Sequence, residues 1–186
     1  MLQISSGELK KMNIKTPSGD RIRPTKSSVR EAIFSMIGYS IQQRTFLDLC
    51  AGTGAMGLEA LSRGACLVSF VEKDRKVGEI LKDNVADAED RMQDFDISLR
   101  VYQESFSVFL KRDEKFDFVY FDPPYIFYRK HKLDEYDFDS LVCDGGMLFM
   151  EHTRHDLRPV PEKLGSLYLV ETRKYGSCKV SVFKKP

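Results

Sequence analysis

The chain contains no Cys-x-x-Cys pair: its four cysteines, Cys50, Cys66, Cys143 and Cys178, stand apart in or beside apolar runs. That spacing excludes a zinc ribbon and a disulfide framework, and predicts core thiols. No apolar run approaches the roughly 18 residues that a membrane-spanning helix requires. The segment Met1 to Ser6 has no basic stretch followed by an apolar one, so no secretory signal is expected and the cytoplasm is the expected compartment. Repeats and low-complexity tracts are missing too. Neither sign of charge dominates, with 29 Lys/Arg against 28 Asp/Glu.

What is present is a chain of 186 residues, 42% apolar and 31% charged, which excludes disorder. A chain of this length buries roughly 70% of its unfolded surface, so one core suffices. The near-zero net charge conceals an asymmetry. Residues 1–30 carry seven bases against two acids, whereas the remainder carries 22 against 26. The basic end is either a solvated face or an arm that meets phosphates and binds in a salt-dependent way.

Leu2-Gln3-Ile4 and Met12-Asn13-Ile14 alternate around the turn-prone Ser5-Ser6-Gly7, which predicts a short hairpin arm over residues 1–24. Residues 25–186 then form the main domain. Ser28-Val29-Arg30-Glu31 has capping-box spacing, and Val29, Ile33 and Ile37 form a stripe that Gly38 can end. From Thr45 onward strand and helix alternate. Strands are expected at 45–50, 66–71, 97–102, 116–121 and 147–150, with helices at 57–63, 74–88 and 105–111. This rhythm predicts an α/β doubly wound, Rossmann-like fold with a mostly parallel seven-stranded sheet. Two final strands, 167–172 and 179–183, are joined too closely for a crossover and form an antiparallel edge. A loop over 126–144 is expected to enter a helix near 133–141.

Asp48-Leu49-Cys50-Ala51-Gly52-Thr53-Gly54-Ala55-Met56-Gly57 runs from strand to helix, and its glycines let the backbone approach a ligand. Glu72 ends the next strand, 20 residues after Gly52, where a carboxylate can accept from both ribose hydroxyls; otherwise it pairs with Lys73. A dinucleotide or S-adenosylmethionine would fit a glycine turn with a ribose acid. Asp48 favours the second, because a carboxylate there repels a pyrophosphate and attracts the ammonium of the methionine part. Glu104 either reaches the adenine amine or is solvated.

Phe116 to Phe121 reads as a buried strand that delivers Asp122-Pro123-Pro124-Tyr125 to the C-terminal edge of the sheet, where open α/β sheets bind ligands. An exocyclic base amine is a poor nucleophile because its lone pair is delocalised. A carboxylate and a carbonyl, each accepting one N–H, hold that nitrogen toward tetrahedral geometry with the pair aimed at the methyl carbon. Asp122 and the Pro123 carbonyl fit that task, Pro123 and Pro124 stiffen the backbone, and Tyr125 offers a stacking face. No metal is required, and Glu151-His152-Thr153-Arg154-His155 is expected to be structural.

These motifs resemble the RsmD-type bacterial 16S rRNA (guanine-N2)-methyltransferases over nearly the whole chain. The matching segments are Ser6 to Lys10, Arg23-Pro24-Thr25, Val29 to Phe34, Leu47 to Gly64, Val71 to Asp74, Asp122 to Tyr125, Glu151-His152 and Tyr175-Gly176. Ser27-Ser28 stands where the family usually has Asp-Arg, and Glu104 replaces a more usual aspartate. The resemblance implies a methyl donor, S-adenosyl-L-methionine, held by Asp48, Ala51, Gly52, Gly54, Glu72, Lys73, Glu104 and Ser105. It implies Asp122, Pro123, Pro124 and Tyr125 as catalytic residues. The RNA contacts expected are Lys10, Lys11, Arg21, Arg23, Thr25 and Arg30, and the partner is 16S rRNA in a small ribosomal subunit or assembly intermediate, met by a monomer. Three other readings fit the same motifs: adenine-N6 methylation of DNA or RNA, a non-catalytic RNA-binding assembly factor, and a nicotinamide oxidoreductase.

Overall fold

The computed structural model describes residues 2–17, 27–124, 126–153 and 159–186. The chain forms two compact units, Met1–Phe106 and Ser107–Pro186. The arm boundary expected at residue 24 lies outside the described residues.

The first unit opens with the expected hairpin. Strands β1 (Leu2–Gln3) and β2 (Asn13–Ile14) pair antiparallel, Leu2 opposite Ile14. Helix α1 (Ser27–Ile37) buries Val29, Ile33, Phe34 and Ile37, and Gly38 ends it with a φ of 58°. Ser28 lies within the first turn of α1 rather than capping it, because the helix already includes Ser27. Then come β3 (Thr45–Asp48), α2 (Ala55–Ser62), β4 (Leu67–Val71), α3 (Arg75–Arg91) and β5 (Ser98–Tyr102). The strands are parallel in the order β5-β4-β3, as a βαβαβ chain demands. Asp74 caps α3, accepting from the N–H groups of Lys76 and Val77 at 2.9 and 3.0 Å.

All eight residues of α2 are buried, Glu59 included. The arm lies against the helix's two polar side chains, Glu59 and Ser62, and satisfies them. Ser5 donates through N–H and Oγ to the two oxygens of Glu59, at 2.9 and 2.7 Å. Ser62 Oγ accepts from Leu9 N–H at 2.8 Å and donates to the Ser6 carbonyl at 2.5 Å. Gly7, at φ 82°, passes so close that a Cβ there would collide with the Ser62 carbonyl.

A single-turn helix, α4 (Phe106–Phe109), lies at the division. In the second unit β6 (Phe116–Phe121) pairs in parallel with β7 (Val142–Thr153), and β7, β10 (Cys178–Lys184), β9 (Leu167–Tyr175) and β8 (Lys163–Leu164) follow in that order, each antiparallel to its neighbour. The expected antiparallel edge is present, with a further two-residue strand, β8, at its margin.

Two expectations are corrected. Residues 133–141 form no α-helix but two 3-10 turns, Leu133–Glu135 and Asp139–Leu141, preceded by a short helix α5 (Ile126–Lys130). The carboxylate and carbonyl of Asp137 take the N–H and Oγ–H of Ser140, and such local bonds compete with a continuous helix. Of the cysteines only Cys178, the first residue of β10, is buried; Cys50, Cys66 and Cys143 are half-buried, so the expectation of four core thiols holds for one. Among the described residues no helix is long and apolar enough to cross a membrane.

Candidate functional site

In the first unit, three backbone ends converge on one turn. β3 ends in Asp48, β4 is followed by Glu72, and the turn between β3 and α2 carries Ala51, Gly52, Thr53 and Gly54. Ala51 is buried and donates to the Val71 carbonyl at 2.9 Å, fixing the turn to the neighbouring strand. Gly52 takes a φ of 55° and donates to Glu72 Oε2 at 2.9 Å. The other oxygen of Glu72 accepts from Asp74 N–H at 2.7 Å. Lys73 is exposed beside it.

The glycines of this turn divide by task. A Cβ on Gly52 would meet nothing within 4 Å, so this position faces open space that a ligand can fill. A Cβ on Gly54, at φ 87°, would come within 2.6 Å of Leu81, and one on Gly57 would run into the Phe70 ring. The missing Cβ at those two lets α2 settle on α3 and β4.

Asp48 is 2% exposed, and its Oδ2 accepts from the N–H of Gly57 at 3.0 Å, at the N-terminal turn of α2. Burial pushes its pKa up to about 7; the Gly57 bond works against this, and the charge of Glu72 adds to it. Burial also raises the pKa of Glu72, against the backbone N–H groups of Asp74 and Gly52. Two acids that are costly to ionise, around an open glycine, suit a cationic ligand bearing hydroxyls and oppose a pyrophosphate. S-adenosylmethionine, with a ribose, an ammonium and a sulfonium, fits this set.

Sequence reasoning missed Asn84. This fully buried residue of α3 donates to the carbonyl of Thr53 in the glycine turn and to that of Lys15, each at 3.0 Å, and accepts from Lys15 N–H at 2.8 Å. One amide thus clamps the glycine turn and the far end of the arm. It also missed Gln103, whose Nε2 donates to the Glu72 carbonyl at 2.8 Å. A lone Asn on the buried face of a helix was the available signal for the first. Glu104 and Ser105 are half-buried in the segment after β5.

In the expected RNA-binding set, Lys10 and Lys11 are exposed on the arm. Arg21, Arg23 and Thr25 lie outside the described residues. Arg30 is not a surface cation: it is 2% exposed, lies 3.2 Å from Glu59 and donates to the Gln3 carbonyl at 2.6 Å. It ties the arm to α1 and α2, so the reading of Arg30 as an RNA contact is corrected. The buried carboxylate of Glu59 draws the guanidinium inward.

In the second unit, β6 ends at Phe121 and the tetrapeptide leaves its C-terminal end. Asp122 is half-buried, Pro123 buried and Pro124 exposed; Tyr125 lies outside the described residues. The Pro124 carbonyl accepts from Phe127 N–H at 2.8 Å at the start of α5, whereas the Pro123 carbonyl takes no hydrogen bond among the described residues. Phe121, Phe127 and Phe138 back this turn, with the Phe127 and Phe138 ring centroids 5.5 and 4.9 Å from that of Phe121. Glu151 of β7 is 6% exposed; its Oε2 accepts from Tyr120 OH at 2.8 Å, and its carbonyl from Tyr128 OH at 2.9 Å. His152 is buried and bonds Ser181 Oγ through Nε2 at 2.9 Å, while His155 lies outside the described residues.

Comparison with known proteins places these features in a family. A family described as "Conserved hypothetical protein 95" matches residues 2–184. YlbH, a candidate rRNA methyltransferase of Bacillus subtilis, is 31% identical, with 99% of each chain covered. Ribosomal RNA small subunit methyltransferase D of Escherichia coli is 32% identical over 79% of this chain and 69% of its own length. Among solved structures, yhhF, a candidate methyltransferase from Escherichia coli, superposes with a TM-score of 0.80 at 27% identity, covering 99% of this chain and 97% of its own. A hypothetical protein of Thermus thermophilus gives the same TM-score of 0.80 at 28% identity, with 99% of each chain covered. The fold is therefore the expected Rossmann-like methyltransferase fold, and the chain belongs to the RsmD-type family of methyltransferases.

Proposed function

We propose that this protein transfers the methyl group of S-adenosylmethionine to the exocyclic N2 amine of a guanine in small-subunit rRNA. It is an S-adenosylmethionine-dependent rRNA methyltransferase, as its family membership supports. The structural observation that carries the donor half is the Gly52 N–H bond to Glu72 Oε2, beside a glycine face open to a ligand.

The donor supplies a methyl group on a positively charged sulfur, a good leaving group that needs no metal. Glu72 takes the ribose hydroxyls on the lone pairs that Gly52 and Asp74 leave over. Asp48 attracts the ammonium, directly or through water, and ionises as it does so. Ala51, Gly54, Lys73, Glu104 and Ser105 complete the donor set. Asp122 and the Pro123 carbonyl each accept one hydrogen of the base amine, so the nitrogen lone pair points at the methyl carbon. As the N–C bond forms, the pair of the breaking C–S bond passes to sulfur and leaves the neutral thioether; the amine nitrogen then loses a proton to Asp122 or to water. Pro124 keeps the turn stiff, and Tyr125 stacks on the base.

The substrate is rRNA of a small subunit or an assembly intermediate in the cytoplasm, held in part by Lys10, Lys11, Arg21, Arg23 and Thr25, and the enzyme acts as a monomer. Labelled methyl transfer to small subunits prepared without the modification, followed by nucleoside digestion and mapping, tests the assignment. N2-methylguanosine at one position supports it. N6-methyladenosine would move the chemistry to adenine, and donor binding without turnover would leave an assembly factor.

A further inference from the structure

Asp122 and Pro123 can grip any exocyclic base amine, so they do not explain why the base should be guanine. A second carboxylate, the buried Glu151, lies on the adjoining strand. β6 and β7 are parallel with Phe121 opposite Met150. One step further, Asp122 leaves the end of β6 while β7 continues into Glu151, so the register carries the two toward each other. Alternation of side chains puts Tyr120 and Asp122 on one face, and the Tyr120 OH bond to Glu151 Oε2 puts Glu151 on that same face.

Glu151 is only half satisfied. Oε2 is held by Tyr120, but Oε1 takes no hydrogen bond among the described residues, although the residue is 6% exposed. Oε1 therefore keeps its lone pairs for a donor from outside the protein. The Tyr128 OH bond to the Glu151 carbonyl folds α5, which follows the tetrapeptide directly, against this residue. The carboxylate is therefore immobilised twice, by Tyr120 through its own oxygen and by Tyr128 through its backbone.

The Watson–Crick edge of guanine presents two adjacent donors, N1–H and the N2 amine; adenine presents an acceptor at N1 beside its N6 amine. We propose that Glu151 is the specificity-determining residue: its Oε1 accepts the N1–H of the guanine whose N2 amine Asp122 orients. An acceptor nitrogen at that place meets a fixed negative charge and is rejected. Accepting N1–H also pushes electron density toward N2, the nitrogen that attacks. This inference rests on the guanine-N2 reading above.

2-Aminopurine separates the two claims, because it keeps the C2 amine but has an acceptor at N1. The experiment compares small subunits assembled with rRNA carrying guanine or 2-aminopurine at the mapped position, with wild-type enzyme and with Glu151→Gln. The Gln variant preserves shape and an acceptor for Tyr120, but it turns an N–H toward N1. Wild type is expected to prefer guanine in kcat/KM by about tenfold to a hundredfold, the range of one well-formed base contact. Glu151→Gln is expected to bring the ratio to about one or reverse it, with unchanged affinity for S-adenosylhomocysteine. Tyr120→Phe, which frees the carboxylate without removing it, is expected to give an intermediate ratio, and it provides a second variant should Glu151→Gln not fold. Equal use of both bases by wild type, or discrimination surviving in Glu151→Gln, overturns the inference while leaving guanine methylation standing. Absence of N2-methylguanosine on unmodified particles overturns the underlying reading instead.

Discussion

The backbone N–H of Gly52 and the carboxylate of Glu72 are joined at 2.9 Å across 20 residues of chain. The acid expected to hold a ribose therefore also holds the turn beside that ribose. Turn shape and the proposed hydroxyl recognition thus share one side chain.

Replacing Glu72 by Gln should weaken both functions. Bonds to a charged acceptor contribute about 1.5–3 kcal/mol, so the affinity for S-adenosylhomocysteine is expected to fall roughly tenfold to a hundredfold. Isothermal titration at neutral pH measures this directly, and an unaltered Kd would exclude Glu72 from the donor site.

Asp48 gives the protein a defined pH dependence. Its folded-state pKa, about 7, lies above the ordinary carboxylate value of 3.8, so between these values the folded chain binds the extra proton. Its contribution to stability is thus greatest below about pH 4 and declines as pH rises toward 7. Asp48→Asn keeps an acceptor for Gly57 and should stabilise the apo protein at pH 8 by at least about 1.4 kcal/mol, one pKa unit's worth. Donor binding runs the other way. A ligand ammonium favours ionised Asp48, so wild-type affinity for S-adenosylhomocysteine should rise with pH up to about 7 and level off above it. Urea midpoints and titrations from pH 5 to 9 test both signs.

Gly52 in the turn and Gly57 in α2 should respond differently to alanine. Gly57→Ala drives a methyl into the Phe70 ring and should cost about 1–3 kcal/mol of stability, as overpacking does. Gly52→Ala places it in open space at φ 55°, a backbone cost of about 1–2 kcal/mol, but fills the face offered to the ligand. Chemical denaturation should rank Gly57→Ala as at least equally destabilised, whereas donor affinity should drop far more in Gly52→Ala.

Asp122→Ala should lower the rate about 10²–10³-fold, the usual effect of removing one oriented group from a preorganised site. Affinity for S-adenosylhomocysteine should barely change. Single-turnover methyl transfer together with the Kd separates the two effects, and an undiminished rate ends the proposed mechanism.

The arm depends on Glu59. Its removal leaves Arg30 buried without its counter-ion and releases Arg63 and Ser5, which also bond to it. Glu59→Ala should cost about 3–5 kcal/mol, with part recovered when Arg30→Met is added. Hydrogen exchange at residues 2–15 should accelerate in the single variant. A protected arm would show that the apolar contacts of Ile4, Leu9 and Met12 are sufficient without the ion pair.

Much of the fold was legible because its signals are local. The stripe Val77, Leu81, Val85 and Ala88 is a helical period, and the run Phe116 to Phe121 is a buried strand ending at a proline pair. Residues 133–141 misled because their apolar positions served aromatic contacts with Phe121 and Phe127 rather than one helix face. The acids and the tetrapeptide proposed for the site were picked out by residue type and spacing, since that chemistry admits few alternatives. Asn84 was not, because a lone polar residue on an apolar helix face does not say which distant carbonyls it will meet.

The order of strands and helices, the glycine turn and the acid at the end of β4 were written in residue type and spacing alone, through backbone preferences that act over a few residues. Tertiary structure decided partnership. It turned Arg30 from a surface cation into a buried tie to Gln3 and Glu59, assigned Gly54 and Gly57 to packing, and set Glu151 against Tyr120. Those outcomes depend on which groups meet after distant segments fold together, and burial then fixes the cost of leaving any of them unpaired.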